Sequence, residues 1–408
     1  MNLASSATTR PSDVAIVGAG VIGLTVAWSL ARSGRFVTLI DPSPGSGSSY
    51  AAAGMLAPVT EVHFGEAKLL DLNLAAASMW PEFVDSLHEA SGLDIGYRRT
   101  GTVVVAHDLD DRRELERLRE FASSLGVSLE SVTSGEVRQL EPLLASDVRG
   151  GLWAPDDHSV DNRRLLDALH LAINSLGVTI ARQRASALTM NNGRVTGVTL
   201  ENGTTIHANA VVVANGVWSA HLGGIPPHVA PPIRPVRGQI LRLNRSRGSL
   251  TPAPMPRTTV RGLVSGRHIY IVPRDSGEVV VGATSDEVGY EYHVDAGAVW
   301  GLLNDARSLL PSLNEMAFVE ACAGLRPGTP DNIAIVGLTE VKGLLMATGH
   351  HRNGILLAPL TAHHIVSLLD GDEPNQAATW DPRRFNVKSA LEPDPSPAPL
   401  LATVGESA

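Results

Sequence analysis

Residues 13–23, DVAIVGAGVIG, constrain this chain more than any other stretch. Residues 13–17 are a short apolar run rich in β-branched side chains, which suits a strand buried on both faces. Gly18, Gly20 and Gly23 follow in G-x-G-x-x-G spacing. Residues 24–32 then carry a helical pattern ended by Gly34, and residues 35–40 read as a second strand finishing at Asp41. In such a unit Gly18 makes the tight turn, Gly20 admits a pyrophosphate close to the main chain, and Gly23 lets helix and strand pack closely. The phosphates meet unpaired N–H groups at the positive end of the helix. Asp41 lies 41 − 18 = 23 residues after Gly18, where a carboxylate accepts hydrogen bonds from an adenosine ribose. Glycine spacing alone is weak evidence. With the strand before it, the helix after it and the acid at the end of the next strand, it predicts a dinucleotide site.

The sequel separates FAD from NAD. A plain NAD domain would move quickly to another strand–helix unit, but here PSPGSGSSYAAAGML (residues 42–56) intervenes. A long run of small residues can lie flat along a bulky cofactor without clashing. Its alternative reading is a flexible surface linker, against which the apolar AAAGML at residues 51–56 argues for burial.

With 408 residues the chain is long enough for two domains, each with its own core. Its formal charge of −9 speaks against a general nucleic-acid surface, so a small anionic substrate needs dedicated arginines. The single cysteine, Cys322, excludes an internal disulfide and a cysteine-based metal cage. No apolar run reaches membrane-spanning length and residues 1–11 lack the apolar core of a secretion signal, so a cytoplasmic enzyme without a membrane partner is expected. His350, His351, His363 and His364 match no zinc spacing, and no metal is expected.

Along the chain, residues 67–88 read as a helix broken or kinked at Pro81, residues 101–106 as a strand and residues 110–125 as an amphipathic helix. Ser134 offers a capping start for another short helix. A clear amphipathic helix covers 161–176, a strand 178–180, and a meander 185–190, 194–200 and 204–207 with Asn-Gly turns. Residues 210–216 form a separate buried strand. Residues 233–243, 267–273 and 278–284 predict an antiparallel sheet, followed by a helix at 295–310 and a strand at 315–321. A core strand at 344–348 leads through GHHRNG into a helix to residue 369, and the chain beyond Trp380 reads as a disordered tail. The expected architecture is α/β: a Rossmann-like FAD-binding domain of the glutathione-reductase type, plus a second α+β substrate domain built on an antiparallel sheet. Residues 11–92, 157–222 and 327–389 are assigned to the discontinuous first domain, 93–156 and 223–326 to the second, and 1–10 and 390–408 to flexible tails.

VAIVGAGVIGL, SSYAAAGML, RPVRGQI, HIYIVPR, VVVGATS, CAGLRPGTPD and TGHHRNGILLAP together resemble the FAD-dependent D-amino-acid oxidase superfamily, and within it the glycine oxidases of thiamine biosynthesis, over about residues 12–385. The resemblance implies non-covalent FAD, with Val21 and Ile22 by the pyrophosphate, Asp41 on the ribose and Ser48 and Ser49 at phosphate. It places Ala53, Gly54 and Met55 along the flavin ring, Met55 also lining the substrate pocket, and Ala185 by the adenine. His350, His351, Arg352, Asn353, Gly354, Ile355 and Leu356 would present N–H groups to the flavin's pyrimidine edge. At the substrate end it implies Arg326 as a carboxylate clamp, Tyr270 as a donor to the same carboxylate, Arg352 as an ordering residue and His268 as a wall. The implied reaction is oxidative deamination of glycine to an imine and glyoxylate, with oxygen reduced to hydrogen peroxide, a thiazole synthase as a partner and a homotetramer as the assembly.

Two departures bear on that expectation. Glycine oxidases can carry Met at the position of Ser285, and serine leaves room for sarcosine or small D-amino acids. Cys322 lies near where sarcosine-oxidase relatives attach FAD covalently, but GLRPGTPD around it follows the glycine oxidase pattern. A quinone-linked D-amino-acid dehydrogenase is a competing reading, and a non-catalytic flavin-binding scaffold is the alternative from another class. Taken without the resemblance, Arg326 reads as a salt-bridge partner and Tyr270 as a half-buried strand aromatic.

Overall fold

The computed structural model describes residues 11–245 and 253–385. The tails expected at 1–10 and 390–408 lie outside the described residues. Two eight-stranded sheets organise the chain.

The first sheet grows from the glycine-rich unit. Strand Ser12–Val17 pairs in parallel with Val37–Ile40 on one side and with Thr205–Val213 on the other. Thr179–Ala181 extends the first edge, while Leu344–Thr348 and Ile335–Leu338 extend the second. Its central strands are buried on both faces, as their near-continuous apolar sequences require. Helices Val21–Arg32, Ala67–Ser91, Asn162–Ser175 and Gly354–Asp370 cover one face and share a core with it. Trp80 donates its indole N–H to the Leu356 carbonyl, joining two of these helices.

Strand order in the second sheet runs Ala317–Gly328, Arg234–Asn244, Glu278–Gly282, Arg267–Pro273, Thr259–Val264, Thr102–Ala106, Gly151–Ala154, Glu130–Val132. Every pairing is antiparallel except the junction between Thr259–Val264 and Thr102–Ala106. That junction attaches the strands of residues 102–154 to the later part of the chain. Helix Ala296–Leu309 packs against this sheet.

Several sequence expectations change. Helix Ala67–Ser91 runs unbroken through Pro81, the packing of its apolar face outweighing one lost hydrogen bond. The short helix starts one residue early: Thr133 is the cap and Glu136 closes the capping box, with Ser134 the first helical residue. The third meander strand and the buried strand at 210 are one strand, Thr205–Val213, whose outer half pairs with the meander and inner half with Ser12–Val17. Strands Thr259–Val264 and Ile335–Leu338 were not anticipated. Order also extends past Trp380, which is fully buried against His364: Pro382–Phe385 forms a helical turn, and Arg384 pairs with Asp331.

Candidate active site

A continuous cavity of about 910 Å³ runs from the glycine turn across to the second sheet. It is lined by every residue expected to touch cofactor or substrate except Gly23 and Leu356. Those two act from behind. A Cβ on Gly23 would come within 1.9 Å of the Gly18 carbonyl oxygen, so its hydrogen is what lets helix and turn meet. Leu356 is buried, its carbonyl engaged by Trp80.

At the first end, Gly18 has φ of +104°, and a Cβ there would lie 2.4 Å from the Ala214 carbonyl oxygen. Helix Val21–Arg32 begins at Gly20 with no side-chain cap and no acid in its first turn, leaving its positive end to the cavity. Ser49 Oγ accepts the Val21 N–H at 3.0 Å, which puts the serine run against that helix start. Asp41 accepts from the N–H groups of Ala19 (2.8 Å) and Ser43 (2.7 Å), so its carboxylate braces the glycine turn from the lip of the cavity. At the other end of the first sheet, Asn353 is 4% exposed and its side-chain Nδ2 has no partner, an unmet donor in the cavity wall. His350 bonds Thr361 at 2.9 Å, and burial drops its pKa to about 3, so the ring is neutral. His351 is likewise held near about 3 by burial, with Arg352 and Arg326 adding to the effect. A capless helix start, an acid at the next strand end and an unmet amide donor fit a dinucleotide with a hydrogen-bonding ring system.

The second sheet supplies the opposite wall. Arg326 lies across the neighbouring strand at Gly238, where an added Cβ would sit 2.3–2.5 Å from the guanidinium. Tyr270 lies across Gly282 in the same manner, with a Cβ 2.4 Å from its hydroxyl. Two glycines in mid-strand thus make the room for two flat side chains. Arg326 donates to the Thr284 carbonyl at 3.2 Å and pairs with no carboxylate among the described residues. Burial raises the Tyr270 phenol, partly offset by Arg326 nearby, so the hydroxyl keeps its proton. A free guanidinium and a phenol donor facing one space can receive a carboxylate.

Arg352, expected to order the amino acid or its neighbours, has its charge engaged by neighbouring side chains. It donates to Glu61 at 2.7 Å and pairs with Glu66 as well. Glu61 also binds Arg261, which stands beside Tyr270 on the adjoining strand. Burial alone would raise the Glu61 carboxyl, but Arg261 and Arg352 bring it down to about 2. His63 and His268 meet edge to face at 6.2 Å, both with pKa values lowered mainly by burial. Ser285 lines the same end of the cavity. Cys322 does not line it; it packs against the cluster of Ala53, Ile240, Val272 and Val280, and burial raises its thiol pKa. Sequence reasoning missed Glu61, His63, Glu66 and Arg261, whose local sequences carry no motif. It also missed Gly238 and Gly282, for which a glycine inside an otherwise β-branched strand was the available signal. One His/Asp cluster outside the cavity, His107, Asp108 and Asp111, is close enough to hold an ion. Its carboxylates already cap helix Leu109–Ser124 and the Ser265–Gly266 turn.

The fold and this cavity define a dinucleotide-binding protein of the flavin type, with an arginine free of carboxylate partners among the described residues and a phenol facing one space. The chain belongs to the FAD dependent oxidoreductase family, whose pattern it matches over residues 13–368. It is 36% identical over 378 residues to the bifunctional protein ThiO/ThiG of Synechocystis sp., covering 92% of this chain and 54% of that protein. The chain thus spans about half the length of the bifunctional relatives it matches. It is 33% identical to the glycine oxidase of Geobacillus kaustophilus, covering 90% of this chain and 94% of that protein. The crystal structure of glycine oxidase from Geobacillus kaustophilus superposes with a TM-score of 0.82 at 32% identity, covering 91% of this chain and 98% of that one. Among the described residues no helix is long and apolar enough to cross a membrane.

Proposed function

We propose that the protein is an FAD-dependent glycine oxidase, and the observation that carries this reading is Arg326, unpaired and aimed with Tyr270 into the cavity that begins at the glycine turn. The first sheet is read as the cofactor-binding domain and the second as the substrate domain. FAD, when bound, supplies the two-electron acceptor. Val21, Ile22, Ser48 and Ser49 would hold its phosphates, Asp41 its ribose, and Ala185 its adenine. Ala53, Gly54 and Met55 would lie along its ring, and the turn at residues 350–355 would meet its pyrimidine edge, with Leu356 behind it.

Arg326 and Tyr270 grip the carboxylate of the amino acid and so aim its Cα hydrogen at the acceptor. Orientation of this kind provides much of the rate acceleration. The amine must react with its lone pair free, hence as the neutral base. Glu61 and Glu66 are tied to arginines and His63 and His268 are neutral, so no carboxylate at this end competes for the amine proton or for Arg326. Net charge supports a monocarboxylate: the three arginines 261, 326 and 352 face two carboxylates, leaving one positive charge for the substrate. Loss of a hydride from Cα and a proton from nitrogen gives the imino acid, which water converts to glyoxylate and ammonia. The two electrons pass to oxygen, giving hydrogen peroxide.

Ser285 favours a second reading within the same chemistry, in which sarcosine or a small D-amino acid is also accepted. FAD is read as held without a covalent bond, a reading supported by the place of Cys322 off the cavity lining. A thiazole synthase as recipient of the imine and a homo-oligomeric, cytoplasmic enzyme complete the reading, the first supported by the ThiO/ThiG name of the bifunctional relatives. The test is peroxide and glyoxylate formation from glycine by the wild type, Arg326→Ala and Tyr270→Phe. Arg326→Ala should lose most of its kcat/KM and Tyr270→Phe less. Undiminished turnover by Arg326→Ala would remove the arginine from its role.

A further inference from the structure

The strip that lines the cavity between Ser49 and Gly54 is held from behind almost carbonyl by carbonyl. Asn162, fully buried, donates its amide to the Ser49 carbonyl at 2.8 Å and the Tyr50 carbonyl at 3.0 Å. Arg242, 1% exposed, reaches the carbonyls of Tyr50 and Ala52 at 3.5 Å each. Arg274 takes the Ala53 carbonyl, and the Val160 N–H takes that of Gly54 at 2.8 Å. Only the Ala51 carbonyl, at the end of the helical turn Ser48–Ala51, is outside this set.

The two arginines differ in one respect. Arg242 is neutralised by Glu278. Arg274 is 3% exposed, donates to the carbonyls of Ala53 and Val160 and to Asn162 Oδ1 at 3.5 Å, and has no ion-pair partner among the described residues. Burial lowers its pKa to about 10, which still leaves it charged at neutral pH. Its Nη2 stands 3.3 Å from where a Cβ on Gly54 would be, so the charge sits one residue behind the cavity wall. Asp161 and Glu278 favour its charge from a distance without pairing it directly. A buried cation with no carboxylate in direct contact acts on its surroundings through a low dielectric and favours any process that brings negative charge nearby.

We propose that Arg274 is a positioning residue with an electrostatic function: it fixes the Ala53–Gly54 wall and raises the reduction potential of the flavin that lies along it. This rests on the reading that the ring runs along residues 53–55. Two-electron reduction adds negative charge to the ring system, and a buried guanidinium one residue away lowers the cost of that charge.

The experiment is dye-equilibrated titration of the flavin in the holoenzyme with a chemical reductant, comparing wild type, Arg274→Gln and Arg274→Lys. Loss of the charge in Arg274→Gln should shift the reduced-to-oxidised ratio at least about tenfold toward oxidised, roughly 30 mV for a two-electron couple. Arg274→Lys, which keeps the charge, should shift less than half as far. Equal shifts in both variants, or none in Arg274→Gln, would overturn the proposal. Asn162→Asp provides an independent arm, since it sets a carboxylate beside Arg274 without removing it, and should move the potential in the same direction as Arg274→Gln. An unmoved potential there would also count against it. Chemical reduction needs no substrate, so whether glycine reduces the enzyme is decided separately.

Discussion

Substitution of Gly238 by alanine tests the carboxylate clamp without touching Arg326. The new Cβ would sit 2.3–2.5 Å from the Nη1, Nη2 and Cζ atoms of Arg326, far inside contact distance. The guanidinium is the end of a flexible side chain facing open cavity, so it moves rather than the strand. Its displacement costs both fork contacts to a carboxylate, each worth about 1.5–3 kcal/mol when charged. The charge itself stays in the cavity and recovers part of that. The expected loss is about 1.4–2.8 kcal/mol, or 10- to 100-fold in affinity. Acetate, which cannot react, is the probe: its binding perturbs the flavin absorbance and gives a dissociation constant directly. Gly238→Ala should weaken acetate by that factor while retaining bound flavin, and the double variant Gly238→Ala/Arg326→Ala should bind no worse than Arg326→Ala alone. Wild-type acetate affinity in Gly238→Ala, or full additivity in the double variant, would refute the reasoning.

Other outcomes follow from the same site. Glu61→Gln strips Arg261 of its counter-charge and leaves Arg352 only Glu66, and should cost about 3–5 kcal/mol of stability, read as a lowered denaturation midpoint. Stability should fall as the pH drops below about 6.5: His350, His351 and His364 have folded pKa values of about 3, 3 and 4, so the unfolded chain takes up protons that the folded one refuses. Melting curves from pH 7.5 to 5 would show this, and the slope should shrink in His350→Gln. Asp157, fully buried and raised to about 6, acts in the opposite sense between about pH 4 and 6, so Asp157→Asn should steepen the acid loss. Ser285→Met should narrow the substrate end and raise the preference for glycine over D-alanine, measured as a ratio of kcat/KM values.

The sequence announced the cofactor end of this protein far more fully than the substrate end. Gly18, Gly23 and Asp41 belong to one contiguous strand–turn–helix–strand unit, so their spacing is itself the geometry. Arg326 and Tyr270 were legible through the resemblance, but what holds them was not. Gly238 and Gly282 act across strand pairs that bring together residues about 88 and 12 positions apart (326 − 238; 282 − 270), and no local pattern encodes such a contact. Arg352 shows the converse limit. Its place in the turn was anticipated, yet its charge is taken by Glu61 and Glu66, nearly three hundred residues earlier. The buried backing of Asn162, Arg242 and Arg274 reads in sequence as ordinary polar residues of a helix, a strand and the turn after another strand. Its purpose emerges only when those elements converge on the Ser49–Gly54 carbonyls.

The most direct test of the whole account is the visible spectrum of the purified protein mixed with glycine without oxygen, then opened to air. A bound flavin should bleach with glycine and recover in air with one hydrogen peroxide per turnover. A flavin that stays oxidised with glycine, sarcosine and D-alanine alike would contradict it.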